Sequence, residues 1–543
     1  MGIPSFYRHL VKTNPTLIKE RVERPTSVLA LDLNCAIYHC LAKLQKKTPY
    51  VASRRREFED ELIRLVVVYI IKLRDHVQPT DLLYVAVDGV VPMAKIRQQR
   101  MRRFKSVWVA AEEAQIKGLV GVDAMGWDRN AITPGTEFMD RLTARLEAWA
   151  MGLGTVGVRT VVSGVDKCGE GEQKIMSYLR LMDGGVKGDI VVYGLDADLI
   201  VLCLWHHQVY GWTFRLLRED VELKGGVKLN SFGEETLLYF DINQLATIIK
   251  SKWAVSMEDY VGVMSFLGND FVPHGLTLCI REEGIDRLLQ ILVGIGRPLV
   301  VRCSGSDAGG WTYDVAVLKE IVRQVAAMEE RWIGETLFKK LKMSTGGQGR
   351  GYGGGSRDAP VQSETEKALA IMNALPLEWK VERSMAKRTE GGWVLKENWA
   401  EQYYSEFMWG AAPTDAVAQW LKAVQWILNY YTGVGPVDML WYYPWYLPPL
   451  FADVVKHEFS ELPSCSDAPN PISPVAQLVM VLPIESYGLL APANRVMPVR
   501  RPEFYPRTWG FFSCGRRQLW ECEPMIPMLP YKIVAQVLKI AKK

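Results

Sequence analysis

Three short apolar, β-branched runs in the first two hundred residues each stop at an acidic side chain, and this repetition constrains the fold more than any other feature. The runs are Val28–Leu31 before Asp32, Leu82–Val87 before Asp88, and Asp189–Tyr193 before the loop Gly194–Asp198. Helix-like stretches follow each run, so the span from Pro25 to about Leu204 reads as an α/β domain with a parallel sheet. Sites in such sheets form beyond the carboxyl ends of the strands, which predicts that the strand-end aspartates converge.

Further carboxylates sit on glycine-punctuated turns: Glu170 and Glu172 in CGEGEQK, Asp196 and Asp198 in YGLDADLIVL, and Asp270 in FLGNDFVPH. Two like charges about 4 Å apart repel by about 4 kcal/mol at an effective dielectric near 20. Such a cluster persists only by taking up protons or cations. With oxygen ligands alone, and no Cys or His in the set, the expected ion is hard, Mg²⁺ or Mn²⁺, and seven carboxylates point to two ions. Two such ions clamp the attacking and leaving oxygens of a phosphoryl displacement. One isolated Asp-Gly turn means little; the joint pattern carries the reading.

A basic run follows Asp88. Ala94–Lys105, AKIRQQRMRRFK, holds six basic residues in twelve. On a helix Lys95, Gln99 and Arg102 share one face, with Arg103 beside Arg102. Next to a metal site, that face suits a terminal phosphate, because guanidinium forks match phosphate geometry. The bland alternative is a solvated helix face. Aromatics crowd the C-terminal third, including Trp420, Trp426, Tyr430, Tyr431 and the group Trp441, Tyr442, Tyr443, Trp445 and Tyr446. Most belong to the core, and one or two could stack on bases.

The 543-residue chain is 48% hydrophobic, with a formal net charge of +4. That is ordinary globular composition, and its charge announces no nucleic-acid or membrane partner. Nine cysteines without CxxC or Cys/His ligand spacing argue against a disulfide framework or a zinc site and favour a reducing compartment. Apolar runs such as Leu65–Ile71 fall short of the ~20 residues that span a bilayer. MGIPSFYRHL lacks the layout of a secretory signal, so residence in the cytoplasm, or else the nucleus, is expected. Seven glycines among the ten residues 346–355 mark a flexible linker, also bearing Arg350, Tyr352 and Arg357. The expected organisation is a catalytic region over 1–340, a linker over 341–367, and a helical, Pro- and aromatic-rich region over 368–543.

These segments together resemble the 5′-to-3′ exoribonuclease family, XRN. MGIPSFYRHL, VDGVVPMAKIRQQRMRRFKS, NAITPGTEFM, GEGEQKIMSYLR, YGLDADLIVL and FLGNDFVPH follow the family pattern in order. So do QWILNYYTGV, LWYYPWYLPPLFAD and QLVMVLPIESYGLLAPANR, so that the likeness runs from Met1 to about Pro506. It implies a PIN-like or flap-nuclease-like lobe wrapped by the C-terminal region, and hydrolysis of single-stranded, 5′-monophosphorylated RNA to nucleoside 5′-monophosphates with Mg²⁺. Carried over by motif, Asp32, Asp88, Glu170, Glu172, Asp196, Asp198 and Asp270 would be the metal-binding and catalytic acids. Lys95, Gln99, Arg102 and Arg103 would bind the 5′-phosphate, and Gly2–Tyr7 would lie near the mouth of the site.

Three positions depart from the family pattern. Tyr38 stands where the family has a base-stacking histidine, with Trp441 as its expected partner; Met93 replaces an arginine, and Cys168 a proline. The chain reads as a minimal core acting as a monomer. The alternatives are an inactive RNA-binding or scaffold relative, which seven intact acids argue against, and a 5′ nuclease acting on DNA, which only 2′-OH contacts would distinguish.

Overall fold

A computed structural model describes residues 2–541 apart from 23–24, 122, 155–156, 183–185, 221–227, 229–234, 304–309, 346–362 and 380. Its centre is a seven-stranded sheet of β1 (Ile18–Lys19), β2 (Thr26–Asp32), β3 (Leu82–Ala86), β4 (Arg159–Ser163), β5 (Asp189–Tyr193), β6 (Thr213–Glu219) and β7 (Leu237–Asp241), ordered β1-β7-β6-β5-β2-β3-β4. The five strands from β4 to β6 run parallel, while β7 and β1 close the far edge antiparallel. From β2 the chain builds outward through β3 and β4, then returns to the other side of β2 as β5. That reversal is a topological switch point, where a crevice opens beyond the strand ends. The register levels those ends: Asp32 faces Ala86, Leu31 faces Tyr193, and Ala86 faces Ser163.

All seven residues of β2 are buried, as expected of a parallel strand covered on both faces. Alternate residues serve opposite cores. Val28, Ala30, Tyr84 and Val192 point into one core, and Leu29, Leu31, Val85 and Val191 into the other. On the second face pack α2 (Leu33–Lys47), α3 (Arg55–Val77) and α5 (Glu137–Gly152); on the first pack α1 (Phe6–Thr13), α6 (Gly171–Arg180) and α7 (Asp198–Tyr210). α4 (Met93–Ile116) leaves the sheet along the seam with the C-terminal region.

The C-terminal region buries its apolar side chains in clusters shared with the first region. Helix Pro413–Thr432 inserts Trp420, Trp426, Ile427 and Tyr431 into the first core, against α7. Segment Ala476–Leu482 packs on Met93, Ile96 and Phe104 of α4. Three basic residues of α4, Arg97, Arg100 and Lys105, fasten this seam. Arg100 is fully buried and donates to the carbonyls of Met480 (2.7 Å), Pro527 (3.1 Å) and Phe504. Arg97 donates to the Trp445 carbonyl and pairs with Glu523, and Lys105 donates to the carbonyls of Trp520 and Cys522.

The expected boundary at 340 falls inside helix Val315–Thr345, because TLFKKLKMST holds no breaker before Gly346. Helix Glu364–Ala374 begins inside the expected linker, started by a Ser363/Glu366 capping box. Residues 346–362, with Arg350, Tyr352 and Arg357, lie outside the described residues. The region 368–543, expected to be helical, also holds a hairpin, Ala386–Thr389 with Gly392–Leu395, turned at Glu390-Gly391. No helix among the described residues is long and apolar enough to cross a membrane.

Candidate active site

The convergence expected of the strand-end acids is a consequence of the switch point. Asp32 ends β2 and stands at the N-cap position of α2, Asp88 follows β3 by two residues, and Glu170 stands at the N-cap position of α6, with Glu172 in its first turn. Asp198 opens α7, so four of the acids lie at helix N-termini, whose partial positive charge favours anions. Carboxylate oxygens of Asp32, Asp88 and Glu172 lie within 4.8 Å of one another. At that separation repulsion is about 3 kcal/mol per pair at an effective dielectric near 20, more than the roughly 0.3–1 kcal/mol from one helix terminus. Repulsion and desolvation win. Burial first, then Asp88, Asp196 and Glu170, hold the Asp32 carboxyl well above the usual range; burial, Glu170 and Asp32 do the same to Glu172.

Neutral donors fix the geometry of this triad. Asp88 accepts from Asn34 Nδ2 at 2.5 Å and from the Gly171 amide at 2.8 Å. Lys174 Nζ donates to the carbonyls of Val87 (2.6 Å) and Gly164 (2.8 Å), joining the ends of β3 and β4; burial lowers its pKa to about 8. Asp32 Oδ1 is buried with no hydrogen-bond partner, and a Cβ on Gly171 would stand 2.5 Å from it. A buried carboxylate oxygen left open, facing two more carboxylates in an oxygen-only set, fits a hard divalent cation. The nearby Cys35 thiol is kept protonated by burial, followed by the charge of Asp32, and so adds no soft ligand.

A second group forms around Asp198 and Asp270. GND makes a tight turn in which Gly268 has φ +80° and Asn269 Oδ1 accepts from the amides of Phe271 and Val272, presenting Asp270 to the crevice. Lys95 Nζ lies 2.7 Å from Asp270 and also pairs with Glu170. These carboxylates hold the amine charged against its burial. Burial, then Asp270, push the Asp198 carboxyl up to about 7. The N-terminal segment covers this group: at Gly2, with φ +43°, a Cβ would fall 2.7 Å from Asp198 Cγ.

Two residues from the C-terminal region, taken in sequence as core aromatics, complete the site. The Tyr430 hydroxyl donates to Glu170, and the Tyr431 hydroxyl donates to Asp198 Oδ1 at 3.0 Å. The tandem tyrosines in NYYTG were a visible signal, but helical periodicity assigns a ring to a face without saying where its hydroxyl ends.

The face of α4 is more divided than its spacing suggests. Lys95 is occupied by the acids. Arg103 turns to Thr133 Oγ1 at 2.7 Å, and burial lowers its pKa to about 10. Gln99 lies 3.5 Å from Gln477, and Arg102 is exposed. No ring contact joins Tyr38 and Trp441 among the described residues: Tyr38 is 40% exposed, whereas Trp441 is 7% exposed, packs on Trp426 at 5.5 Å and donates its indole N–H to Gln419. The apolar body of helix Pro413–Thr432 draws the Trp441 ring into the core.

Comparison with known proteins agrees with this geometry. Residues 1–220 match the family described as XRN 5′-3′ exonuclease N-terminus. The chain is 28% identical over 602 residues to 5′-3′ exoribonuclease 1 of Homo sapiens, covering 99% of this chain and 34% of that protein. It is 32% identical over 368 residues to 5′-3′ exoribonuclease 2 of Saccharomyces cerevisiae, covering 54% and 35%, and 25% identical over 685 residues to 5′-3′ exoribonuclease 2 of Arabidopsis thaliana, covering 98% and 66%. It thus spans about a third of the human and yeast relatives' length. Through its first 220 residues, which carry the sheet's switch point and six of the seven acids, the chain matches the XRN 5′-3′ exonuclease N-terminus family.

Proposed function

We propose that the chain is a 5′-to-3′ exoribonuclease that removes nucleoside 5′-monophosphates from single-stranded, 5′-monophosphorylated RNA. One observation carries the reading: Lys95, on the basic helix, pairs with Glu170 and Asp270, so the phosphate-binding face and the acid cluster are parts of one site. In this reading Asp32, Asp88 and Glu172 hold one Mg²⁺, and Asp198, Asp270, Glu170 and Asp196 contribute to a second. The bound ions would supply Lewis-acid stabilisation of the charge that develops on the scissile phosphate.

The protein's own groups set the geometry. Arg102, Arg103 and Gln99 grip the terminal phosphate, a positioning that limits cleavage to the first linkage. Tyr430 and Tyr431 keep Glu170 and Asp198 oriented as acceptors, and Lys95 offsets charge before substrate arrives. In the reaction a water oxygen bonds to phosphorus as the P–O3′ bond breaks, and the departing 3′-oxygen takes a proton. The shortened strand then begins with a new 5′-monophosphate and is a substrate again. Tyr38 is an exposed ring available to stack on a base, a contact worth about 1–3 kcal/mol in single-strand binders.

The test uses 3′-labelled RNA with a 5′-monophosphate, 5′-triphosphate or 5′-hydroxyl, and DNA of the same sequence, with Mg²⁺ and wild-type or Asp198→Ala protein. Degradation of the monophosphate RNA alone, lost in the variant, is the expected result. RNA that is bound but left intact by the wild type would overturn the enzyme reading in favour of a scaffold.

A further inference from the structure

Behind the acid cluster lies a cavity of about 280 Å³, near the lower end of small-molecule sites at roughly 300 Å³. Its lining includes Gly2 and Asp270 as well as Trp520, which is 55% exposed, so the cavity links Asp270 with the surface. Its wall also carries Arg102 and Arg516. The segment Ser513–Pro524 forms the outer side. It is anchored by Lys340, which pairs with the buried Glu382 and donates to the Ser513 carbonyl at 2.7 Å, while the Gly515 amide donates to Glu382 at 2.9 Å.

Two of the cations on this wall lack a carboxylate ion pair. Arg281 pairs with Glu521, and Arg517 with Glu282, but Arg102 and Arg516 have no carboxylate partner among the described residues. Arg516 is only 8% exposed, and its one side-chain hydrogen bond among the described residues is with His274 at 3.0 Å. Burial, followed by the Arg516 charge, lowers the His274 pKa to about 3, so this imidazole brings no charge of its own. A largely buried guanidinium that lines a cavity without a carboxylate partner suits an anion. At the mouth, Trp520 offers an aromatic face, with the Arg281 guanidinium 5.7 Å from its ring centre.

We propose that this cavity is a product site, holding the released nucleoside 5′-monophosphate with its phosphate against Arg102 and Arg516 and its base on Trp520. The proposal rests on the exonuclease reading. A shortened strand still fills the path by which it arrived, so the freed nucleotide needs another way out. Its phosphate carries about −1.5 to −2 charges near neutral pH, which the acids repel and the unpaired guanidiniums attract. Arg102 belongs both to the phosphate face of α4 and to the cavity wall, so the phosphate passes from one grip to the next.

The probe is adenosine 5′-monophosphate, with inorganic phosphate as comparison, titrated calorimetrically into the full chain in chelator. Wild type is expected to bind the nucleotide at least fivefold more tightly than phosphate. Arg516→Gln should weaken nucleotide binding at least tenfold, and the exposed Trp520→Ala, which leaves the buried anchor intact, at least fivefold. Nucleotide affinity unchanged within twofold in Trp520→Ala overturns the proposal, as does equal binding of nucleotide and phosphate. Degradation of 5′-monophosphorylated RNA by the wild type is scored alongside. Active protein with variant-insensitive nucleotide binding rejects the product site alone, whereas inactive protein with variant-sensitive binding rejects the exonuclease reading and leaves a nucleotide site.

Discussion

The Tyr431 hydroxyl donates to Asp198 Oδ1 at 3.0 Å across 233 residues of sequence, so the C-terminal region supplies part of the acid cluster's structure. A hydrogen bond donated to a carboxylate favours the charged form. Tyr431→Phe should therefore raise the Asp198 pKa above its already elevated value of about 7. With a net bond worth roughly 0.5–1.5 kcal/mol, the acid limb of the kcat/KM profile should move up by about 0.5–1 pH unit. A profile superimposable on the wild type would show that the contact does not govern this titration.

Protons and cations compete for the same carboxylates. Asp32, Glu172 and Asp198 have folded-state pKa values above their unfolded ones. The folded state then binds the extra protons, so their contribution to stability is complete below about pH 4 and is lost as pH rises through the folded values, about 7 for Asp198. In chelator, the melting temperature should fall between pH 5 and pH 8, and millimolar Mg²⁺ should restore it. Asp198→Asn in chelator at pH 8 should melt higher than wild type, by an amount reflecting on the order of 2–4 kcal/mol, while losing activity. Differential scanning calorimetry at the two pH values checks both signs.

Gly2 lies too close to Asp198 for a side chain. With a Cβ 2.7 Å from the carboxylate carbon and φ at +43°, Gly2→Ala must displace either the N-terminal segment or Asp198. The rate on monophosphorylated RNA should drop at least tenfold, since small misplacements at a reacting centre have large effects on rate. The melting temperature should move little, because the change lies at the edge of the fold.

Arg100 tests the seam. Its guanidinium serves three carbonyls from Met480, Phe504 and Pro527, and burial lowers its pKa to about 10 without discharging it near neutrality. Arg100→Ala leaves these acceptors unmet and opens a cavity, a loss of roughly 3 kcal/mol or more. Urea unfolding should show the loss, and limited proteolysis should cut first within the C-terminal region.

The strand-end acids were legible because each follows a β-branched run, and a parallel sheet delivers such ends to one crevice. The rest depended on features that a linear pattern does not encode. β4 is partly exposed and begins at Arg159, so its run lacks the apolar signature of β2 and β5. Tyr430 and Tyr431 look like the core aromatics around them, and their rings are indeed buried; only the endpoints of two hydroxyls set them apart. Trp441 was the more prominent aromatic in sequence, yet its ring packs on Trp426. The helical face Lys95, Gln99, Arg102 was read correctly as a spacing, but the acids hold Lys95 while Arg102 opens onto a cavity.

Helix α4 has consequences for anyone sorting variants of this chain. Arg100 and Arg103 are neighbours by less than one turn, yet one clasps carbonyls of the C-terminal region and the other turns to Thr133 near the acids. Disabling substitutions along this helix therefore fall into two families that alternate with its rotation: those that empty the cell of protein, and those that leave abundant, folded, silent protein behind.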